Sequence, residues 1–281
     1  MTKEKIQNEV LFWYSRNKRD LPWRKTTDPY KIFLSEIMLQ QTQVPRVIEK
    51  YNQFLAKYPT VHDFALAPTP HILTLWSGLG YNRRALNLQK AIQTINTTYN
   101  GIVPKDMFEL LKLEGIGPYT ASAILSFAFN KDVIVLDINI KRIYSRFLGT
   151  IDVKKIEKFA KDILPKENSR NWHNALMDIG TLHCRPNPSC INCPFSSACE
   201  WKNNNSRIEI LAGKQSKFLG SPRYYRGTIL KELTKQKQTN KNILALFPLK
   251  LQKKIKIEEA LIALEKEGFI VKEKNKWKMK E

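Results

Sequence analysis

Two acidic side chains lie in surroundings that predict opposite protonation states. Glu36 is flanked by apolar residues at 32–33 and 37–39, and burial among them would raise its pKa and make it a proton donor near neutrality. Asp137 follows the apolar run 133–136 and precedes a predicted helix, where an N-cap carboxylate accepts backbone N–H groups and stays ionised. The alternatives are an exposed Glu36 on a polar helix stripe and a purely structural Asp137 cap.

All four cysteines of the chain lie close together, in the pattern Cys184-x5-Cys190-x2-Cys193-x5-Cys199. Thiols clustered in one loop suit a metal centre better than disulfides that staple a fold. The spacing fits an iron–sulfur cluster and tetrahedral zinc about equally. The four histidines are scattered and show no ligand spacing.

A glycine-rich turn, Gly115-Ile116-Gly117, separates two predicted helices. Glycine suits a positive φ at both positions. The helix that follows would present bare N–H groups at its N-terminus, where a phosphate binds well. An ordinary helical hairpin is the alternative.

Two further stretches combine turns with polar or aromatic side chains. Gln40-Gln41-Thr42-Gln43 sweeps every face of a helix, which predicts either side chains directed at hydrogen-bonding edges or a helix end before Pro45. Gly78-Leu79-Gly80-Tyr81 places an aliphatic and an aromatic side chain on a permissive backbone, as expected of a wedge that enters a base stack. A buried turn aromatic is the alternative for this second stretch.

The chain is strongly basic, with 47 Lys and Arg against 26 Asp and Glu and a net charge of +21 over 281 residues. This balance predicts a polyanionic partner, nucleic acid before membrane. The N-terminus is charged, and no apolar stretch approaches the ~20 residues of a membrane span. We therefore expect a cytoplasmic, nucleoid-associated protein, or a nuclear one in a eukaryote, that acts as a monomer.

Apolar periodicity predicts a mostly helical chain. The predicted helices span residues 5–14, 30–40, 45–58, 63–67, 70–76, 85–99, 138–147, 155–163, 172–182, 224–233 and 257–267, and a predicted hairpin pairs 269–271 with 277–279. Residues 206–220 lose the periodicity and predict a linker. Residues 221–281 hold 16 Lys and Arg against 7 Asp and Glu and predict a small winged-helix-like module, with a solvated lysine-rich tail as the alternative.

With these stretches in place, the chain resembles the helix-hairpin-helix DNA glycosylases of the endonuclease III superfamily, most closely the MutY-type adenine DNA glycosylases. The stretches that carry the resemblance fall in family order over about residues 5–202. They are Leu21 to Arg24, Ser35 to Val44, Trp76 to Tyr81, Leu113 to Ala121, Leu136 to Asn139 and the cysteine loop.

The resemblance implies an all-α, two-lobed fold with an iron–sulfur cluster loop and a small C-terminal winged-helix-like α+β module. The implied domains are a six-helix barrel lobe with the helix-hairpin-helix at 21–131, a cluster lobe at 1–20 and 132–205, the linker 206–220 and the basic module 221–281. A [4Fe-4S] cluster would be held by Cys184, Cys190, Cys193 and Cys199. Double-stranded DNA containing a mismatch or an oxidised guanine would lie between the lobes.

The resemblance also implies roles for individual side chains. Glu36 would protonate N7 of a flipped adenine, and Asp137, oriented by Asn139, would stabilise the oxocarbenium-like sugar. Tyr119 stands where bifunctional relatives carry a Schiff-base lysine, so we expect a monofunctional glycosylase. The remaining implied contacts are Trp23, Arg24 and Asp178 with the flipped base, Gln41, Thr42, Leu79 and Tyr81 with the gap and the opposite base, and Gly115, Gly117 and Thr120 with DNA phosphate.

The sequence departs from the family pattern at several places. The first cysteine spacer has five residues instead of six, Ile138 replaces a smaller residue, and Asn82 replaces a second tyrosine. Residues 221–281 are too few for the Nudix-like domain with which MutY enzymes recognise 8-oxoguanine, so discrimination of 8-oxoguanine:A from G:A would be weaker or made differently.

Two other functions are compatible with these features. A thymine or uracil mismatch glycosylase on the same scaffold also carries tyrosine at position 119, although the stretches 40–43 and 78–81 favour adenine. A non-catalytic DNA-binding regulator that senses redox state through its cluster would need neither Glu36 nor Asp137.

Overall fold

The computed structural model describes residues 2–204 and 217–280, and in these ranges it contains fifteen α-helices and one three-stranded sheet. The helices are α1 Lys3–Asn17, α2 Pro29–Leu39, α3 Val44–Lys57, α4 Val61–Ala65, α5 Thr69–Trp76, α6 Arg83–Thr98, α7 Met107–Leu111, α8 Pro118–Phe129, α9 Ile138–Leu148, α10 Val153–Ile163, α11 Ser169–Leu182, α12 Glu200–Asn203, α13 Pro222–Leu233, α14 Asn240–Ala245 and α15 Lys254–Lys266. The strands are β1 Gln238–Thr239, β2 Ile270–Glu273 and β3 Lys276–Met279. Residues 206–216 of the predicted linker lie outside the described residues. Among the described helices, none has the length and apolar character needed to cross a membrane.

The helices begin where the sequence supplies capping side chains. Thr60 and Asp63 form a capping box at the start of α4, and Asp106 accepts hydrogen bonds from two backbone N–H groups at the start of α7. Such caps satisfy the N–H groups that a helix start leaves without intrahelical partners. The predicted all-α class with a small C-terminal sheet is confirmed, and the predicted helix ends agree with the observed ones to within three residues.

The first compact unit comprises Met1–Glu36, Lys105–Lys112 and Ile116–Gly213. Its core forms around α11, which packs against α1, α8 and α9, and Trp172 of α11 is fully buried. The division differs from the predicted lobes, because residues 21–36, α7 and α8 join the cysteine-bearing part of the chain.

The second compact unit comprises Ile37–Pro104, Leu113–Gly115 and Lys214–Glu281. Within it, α4 and α5 pack on α6, and α3 packs on α5. Phe54 lies at the centre of an aromatic cluster, with ring centroids 6.3, 5.7 and 6.0 Å from those of Tyr58, Phe64 and Trp76. Aromatic side chains of this size bury a large apolar area and stabilise the packing of α3, α4 and α5.

The C-terminal module, defined as residues 221–281, belongs to the second unit. α13 packs against α15, and the antiparallel sheet has the order β1-β3-β2. Tyr225, Leu264 and Phe269 are almost fully buried, so the module has a core of its own and the alternative of a solvated tail is wrong. The sequence did not predict β1 or α14, since a strand of two residues is too short to show an alternating pattern.

A buried histidine in the first unit supports the segment that leads into Asp137. His173 of α11 is 2% exposed, and its Nε2 accepts a hydrogen bond from the Val135 N–H at 3.1 Å. Its Nδ1 lies 2.9 Å from the Ser169 carbonyl oxygen, which assigns the ring proton to Nδ1 and leaves the imidazole neutral. Burial lowers the pKa of His173 to about 4.

We expect His173 to make the protein less stable in mild acid. Its pKa lies near 4 when folded and near 6.5 when unfolded, so the unfolded chain binds the extra proton first as the pH falls. The stabilisation is complete above about pH 6.5 and is lost towards pH 4, at a limiting slope of about 1.4 kcal/mol per pH unit. Urea unfolding of the wild type and of His173→Gln across this range measures the contribution. Equal pH slopes for the two proteins would contradict it.

Candidate active site

Glu36 lies on α2 in a buried position. It is 8% exposed, and its neighbours Phe33 and Ile37 are 0% and 3% exposed, so the alternative of an exposed glutamate is wrong. Burial, followed by the nearby charge of Asp137, raises the pKa of Glu36 from 4.5 to about 8, while the charge of Arg24 opposes the shift. A carboxyl group with this pKa is protonated at neutral pH and can act as a general acid.

Asp137 is the N-cap of α9, as the sequence predicts. Its Oδ1 accepts from the Ile140 N–H at 2.7 Å, and its Oδ2 accepts from the Asn139 side-chain amide at 2.7 Å. Burial raises the pKa of Asp137, and these hydrogen bonds and the charge of Arg142 oppose that increase. Burial is the larger influence, so the pKa of Asp137 lies above its ordinary value although the residue is the predicted N-cap. The same donors favour its ionised form over that of Glu36.

Arg142 extends this network, and the sequence analysis did not identify it. Its Nη2 donates to Asn139 Oδ1 at 3.0 Å, and its Nε donates to the Cys184 carbonyl oxygen at 2.7 Å. Gly180 allows α11 to approach Asn139 closely, because a Cβ at position 180 would lie 3.1 Å from Asn139 Cβ. The sequence signal that could have identified Arg142 is its spacing of three residues from Asn139, which places both side chains on one face of a helix.

Tyr119 belongs to the same group of side chains. Burial raises the pKa of its phenol well above 10, and the charges of Glu36 and Asp137 raise it further. The phenol is therefore neutral and lies within electrostatic reach of both carboxyl groups. The structure thus brings together Glu36, Asp137, Asn139 and Tyr119 in the first unit.

Arg24 and Asp178 are paired with each other. Asp178 is completely buried; its oxygens accept from Arg24 Nη1 at 2.5 Å and Nη2 at 2.9 Å, and from Arg19 Nε at 2.5 Å. Trp23, predicted with them near the flipped base, is 8% exposed. Arg19 was missed, because a single arginine in a loop gives no sequence signal of a buried partner.

The predicted contacts to the gap lie in the second unit. Thr42 Oγ1 donates to the Leu79 carbonyl oxygen at 3.2 Å, and Arg84 donates to both Thr42 Oγ1 and that carbonyl, at 2.9 and 3.1 Å. Leu79 is only 4% exposed, so its expected role as a wedge does not fit its buried position. Gln41 is exposed and Tyr81 is partly exposed, and both have a left-handed backbone, with φ of 55° and 48°.

The glycine-rich turn differs from the prediction at its second glycine. Gly115 has φ +77°, and a Cβ there would lie 2.8 Å from Asn87 Cβ, so this position requires glycine. Gly117 is the N-cap of α8 with φ −98°, and the expectation of a positive φ there is wrong. Thr120 is 4% exposed, which leaves its side chain unavailable to a phosphate, unlike the more accessible glycines.

The four cysteines line one cavity of the first unit, which corresponds to their predicted grouping. The other lining residues include Arg146, His183, Phe195 and Trp201. Arg146 is 1% exposed, and its Nη1 lies 3.5 Å from Cys184 Sγ. Burial raises the pKa of the Cys193 thiol to about 12. Among the described residues, no set of three or more His, Cys, Asp or Glu side chains is arranged to hold a metal ion.

Comparison with known proteins identifies the family of the chain. Residues 34–166 match the HhH-GPD superfamily of base excision DNA repair proteins. The chain is 41% identical to an adenine DNA glycosylase of Buchnera aphidicola subsp. Baizongia pistaciae, over 78% of this chain and 64% of that protein. It is 34% identical to the adenine DNA glycosylase of Mycolicibacterium smegmatis, over 79% of this chain and 78% of that protein.

Solved structures are similar as well. A thermostable thymine-DNA glycosylase matches with a TM-score of 0.67 and 29% identity, over 72% of this chain and 97% of that chain. Endonuclease III in a non-covalent complex with DNA matches with a TM-score of 0.63 and 27% identity, over 74% of this chain and 100% of that chain. The chain spans less than two thirds of the length of the three Buchnera relatives that it matches. Its match to the M. smegmatis protein covers more than three quarters of both chains, and the chain therefore belongs to the adenine DNA glycosylase family of the HhH-GPD superfamily.

Proposed function

We propose that the protein is a monofunctional DNA glycosylase that hydrolyses the N-glycosidic bond of adenine opposite 8-oxoguanine or guanine. One observation carries the proposal: a buried Glu36 with a pKa of about 8 lies beside an Asp137 that accepts two N–H hydrogen bonds. Two carboxyl groups whose surroundings separate their pKa values are the arrangement used to cleave glycosidic bonds. Family membership supports adenine as the base.

The proposed reaction begins with a proton on Glu36. Glu36 donates this proton to adenine N7 while the bond between C1′ and N9 breaks, and the bonding electrons leave with the base as neutral adenine. The sugar becomes oxocarbenium-like, and the carboxylate of Asp137 stabilises its positive charge. Water then adds to C1′, and the proton that it loses restores the acid form of Glu36. The product is an abasic site in an intact strand.

The other residues of the site orient these two groups. The Asn139 amide holds Asp137 Oδ2, and Arg142 holds the Asn139 carbonyl oxygen, so the carboxylate has one preferred orientation. Tyr119 stays a neutral phenol and cannot form a Schiff base with the sugar. Arg24 lies near Glu36, and its positive charge opposes the rise in the pKa of Glu36. Asp178 pairs with Arg24, and the pKa of Glu36 remains high enough for the carboxyl group to keep its proton.

The proposed substrate is double-stranded DNA from which the adenine is flipped out of the stack. The net charge of +21 supports a polyanionic partner. Gly115 and Gly117 are candidates to contact phosphate, and Gln41 and Tyr81 are candidates to contact the bases around the gap. The mismatch preference is part of this proposal, as is a location with the genome, in the nucleoid or the nucleus.

A thymine mismatch glycosylase is the second candidate function. The observation that favours it is the similarity to a thermostable thymine-DNA glycosylase, which covers nearly all of that chain. Thymine removal also leaves an oxocarbenium-like sugar, whose charge the Asp137 carboxylate can stabilise, so the geometry of the first unit fits both candidates. The base preference must therefore be measured.

We also propose that Cys184, Cys190, Cys193 and Cys199 hold a [4Fe-4S] cluster. The four thiols surround one cavity, and four cysteines drawn from a single loop suit an iron–sulfur cluster. The buried guanidinium of Arg146 lies 3.5 Å from Cys184 Sγ, where its positive charge would complement the negative charge of a thiolate ligand. The cluster would supply structural support to the loop rather than a step of base removal.

The function is tested by single-turnover excision on duplexes that carry A opposite 8-oxoguanine, A opposite G, T opposite G or U opposite G. We expect cleavage at A after alkali treatment, and a rate that falls about tenfold per pH unit above pH ~8 as Glu36 loses its proton. Glu36→Gln and Asp137→Asn should each lose at least about 100-fold in rate.

Lys231→Ala, an exposed change far from these residues in sequence, is the control and should retain the wild-type rate. Excision of only T or U would establish the thymine candidate instead. A Glu36→Gln protein with an unchanged rate would exclude the acid role of Glu36.

We expect the protein to leave the DNA strand intact. Tyr119 offers no amine, so borohydride should trap no covalent complex with substrate DNA, whereas Tyr119→Lys should trap some and gain strand cleavage. Denaturing gels without alkali measure the cleaved strand, and Tyr119→Phe is the control that changes position 119 without adding an amine. Efficient trapping of the wild type would show that another amine acts as nucleophile.

The cluster proposal predicts about four iron atoms and four sulfides per chain, with little zinc. Metal analysis of the purified protein measures this directly. Cys199→Ser should lower the iron content and the thermal stability together, because metal binding and folding of such a loop are coupled. One zinc ion per chain and no sulfide would establish the tetrahedral alternative.

A further inference from the structure

We propose that the C-terminal module positions Tyr81 through Arg223, and that Arg223 is thereby a positioning residue for the contact with the base opposite the excised adenine. The role in DNA rests on the proposed function, whereas the contact itself is a property of the second unit. Both residues lie in that unit, Tyr81 just before α6 and Arg223 near the start of α13.

The contact combines a hydrogen bond with a cation–π interaction. Arg223 Nη1 donates to the Tyr81 hydroxyl oxygen at 2.8 Å, and the Arg223 guanidinium carbon lies 5.4 Å from the centroid of the Tyr81 ring. Arg84 also approaches this ring, at 5.7 Å. The guanidinium groups of Arg223 and Arg84 therefore restrict the orientation of the Tyr81 side chain, which is still partly exposed.

The backbone that carries Tyr81 is fixed by other bonds. Tyr81 has φ 48° after Gly80 with φ 73°, and a left-handed conformation costs a non-glycine residue about 1–3 kcal/mol unless its surroundings enforce it. Trp76 Nε1 and Arg84 Nη2 each donate to the Gly80 carbonyl oxygen at 3.0 Å. The turn is thus set from within 76–84, while the hydroxyl end of the ring is held by the C-terminal module.

A second link places the module at the same end of α6. Glu267 accepts from Arg226 at 2.7 and 2.6 Å, and its carboxylate also lies 3.7 Å from Arg83 Nη1. Arg83 is only two residues beyond Tyr81. The module therefore contacts both Tyr81 and Arg83, so a displacement of α13 would change where the Tyr81 ring points.

This arrangement gives the basic module a defined effect on the reaction. Its excess of Lys and Arg attracts duplex phosphates without reading sequence. A module held on DNA in this way would keep the partly exposed Tyr81 ring oriented towards the base pair that loses its adenine, because Arg223 connects the two. The Tyr81 ring would provide the surface on which a base stacks, and Arg223 would set the orientation of that ring.

The test is a double-mutant cycle with Arg223→Ala, Tyr81→Phe and the double variant in the full-length protein. Two quantities are measured: the single-turnover rate on A opposite G, and the affinity for a duplex that already contains an abasic site. We expect each single variant to lose about tenfold in both, as for a hydrogen bond to a charged group. The double variant should lose no more than the worse single variant.

Matched variants separate positioning from folding and from charge. Lys231→Ala removes a positive charge from the exposed side of the same helix α13, so its loss measures what one charge of the module contributes to DNA affinity. The loss in Arg223→Ala should exceed it several-fold in both quantities. Arg223→Lys keeps a donor and should restore most of the loss. Thermal unfolding should give the same midpoint for Arg223→Ala and for Lys231→Ala within a few degrees.

The outcomes distinguish this inference from the proposed function. Losses that multiply to about a hundredfold in the double variant, or an Arg223→Ala protein that behaves like Lys231→Ala, would overturn the inference even if adenine is excised normally. If the wild type excises no adenine but the abasic-site affinities of the four proteins in the cycle are non-additive, the proposed function is overturned and the positioning role is supported.

Discussion

The proposed chemistry depends on keeping one proton on a buried carboxyl group while a second carboxyl group lies within its electrostatic reach. Two such groups cannot both ionise without a large cost in a desolvated site. The unequal hydrogen bonding decides which one does. In Asp137 the Ile140 and Asn139 donors and the charge of Arg142 oppose the effect of burial, whereas in Glu36 the charge of Asp137 adds to the effect of burial and the charge of Arg24 opposes it. Position in the fold, rather than the choice between Asp and Glu, therefore separates the acid from the anion.

That separation requires helices that approach closely around Asp137. Gly180 lets α11 lie against Asn139, and His173, also on α11, accepts from the backbone just before Asp137. Arg142 then joins Asn139 to the Cys184 carbonyl oxygen. A continuous set of hydrogen bonds thus connects the Asp137 carboxylate with the first residue of the cysteine loop. The loop and the site belong to one packed structure, although 47 residues of sequence separate Asp137 from Cys184.

Local sequence signals predicted the elements well and the partners of polar groups poorly. Capping residues, apolar stripes and the clustered cysteines are short-range patterns, so α9, the turn at Gly115 and the cysteine cavity could be predicted. The ion pairs of Asp178 with Arg19 and Arg24, and the hydrogen bond from the Val135 N–H to His173, join residues that are distant in sequence. Nothing in one segment records the partner in another, and this is why Leu79 was predicted as a wedge although it is buried.

The C-terminal module shows how a domain boundary drawn from composition can differ from one drawn from contacts. A lysine-rich stretch after an aperiodic segment predicts an independent tail or module, yet the folded segment packs as part of the unit that contains Tyr81. Its acidic residues explain the difference: Glu267 forms ion pairs with Arg226 inside the module and with Arg83 at the start of α6. Because the Glu267 carboxylate is partly buried between two arginines, its charge is screened less than the charges of the solvated lysines around it. The hydrogen bond from Arg223 to Tyr81 adds a second, directional contact between the module and the rest of the unit.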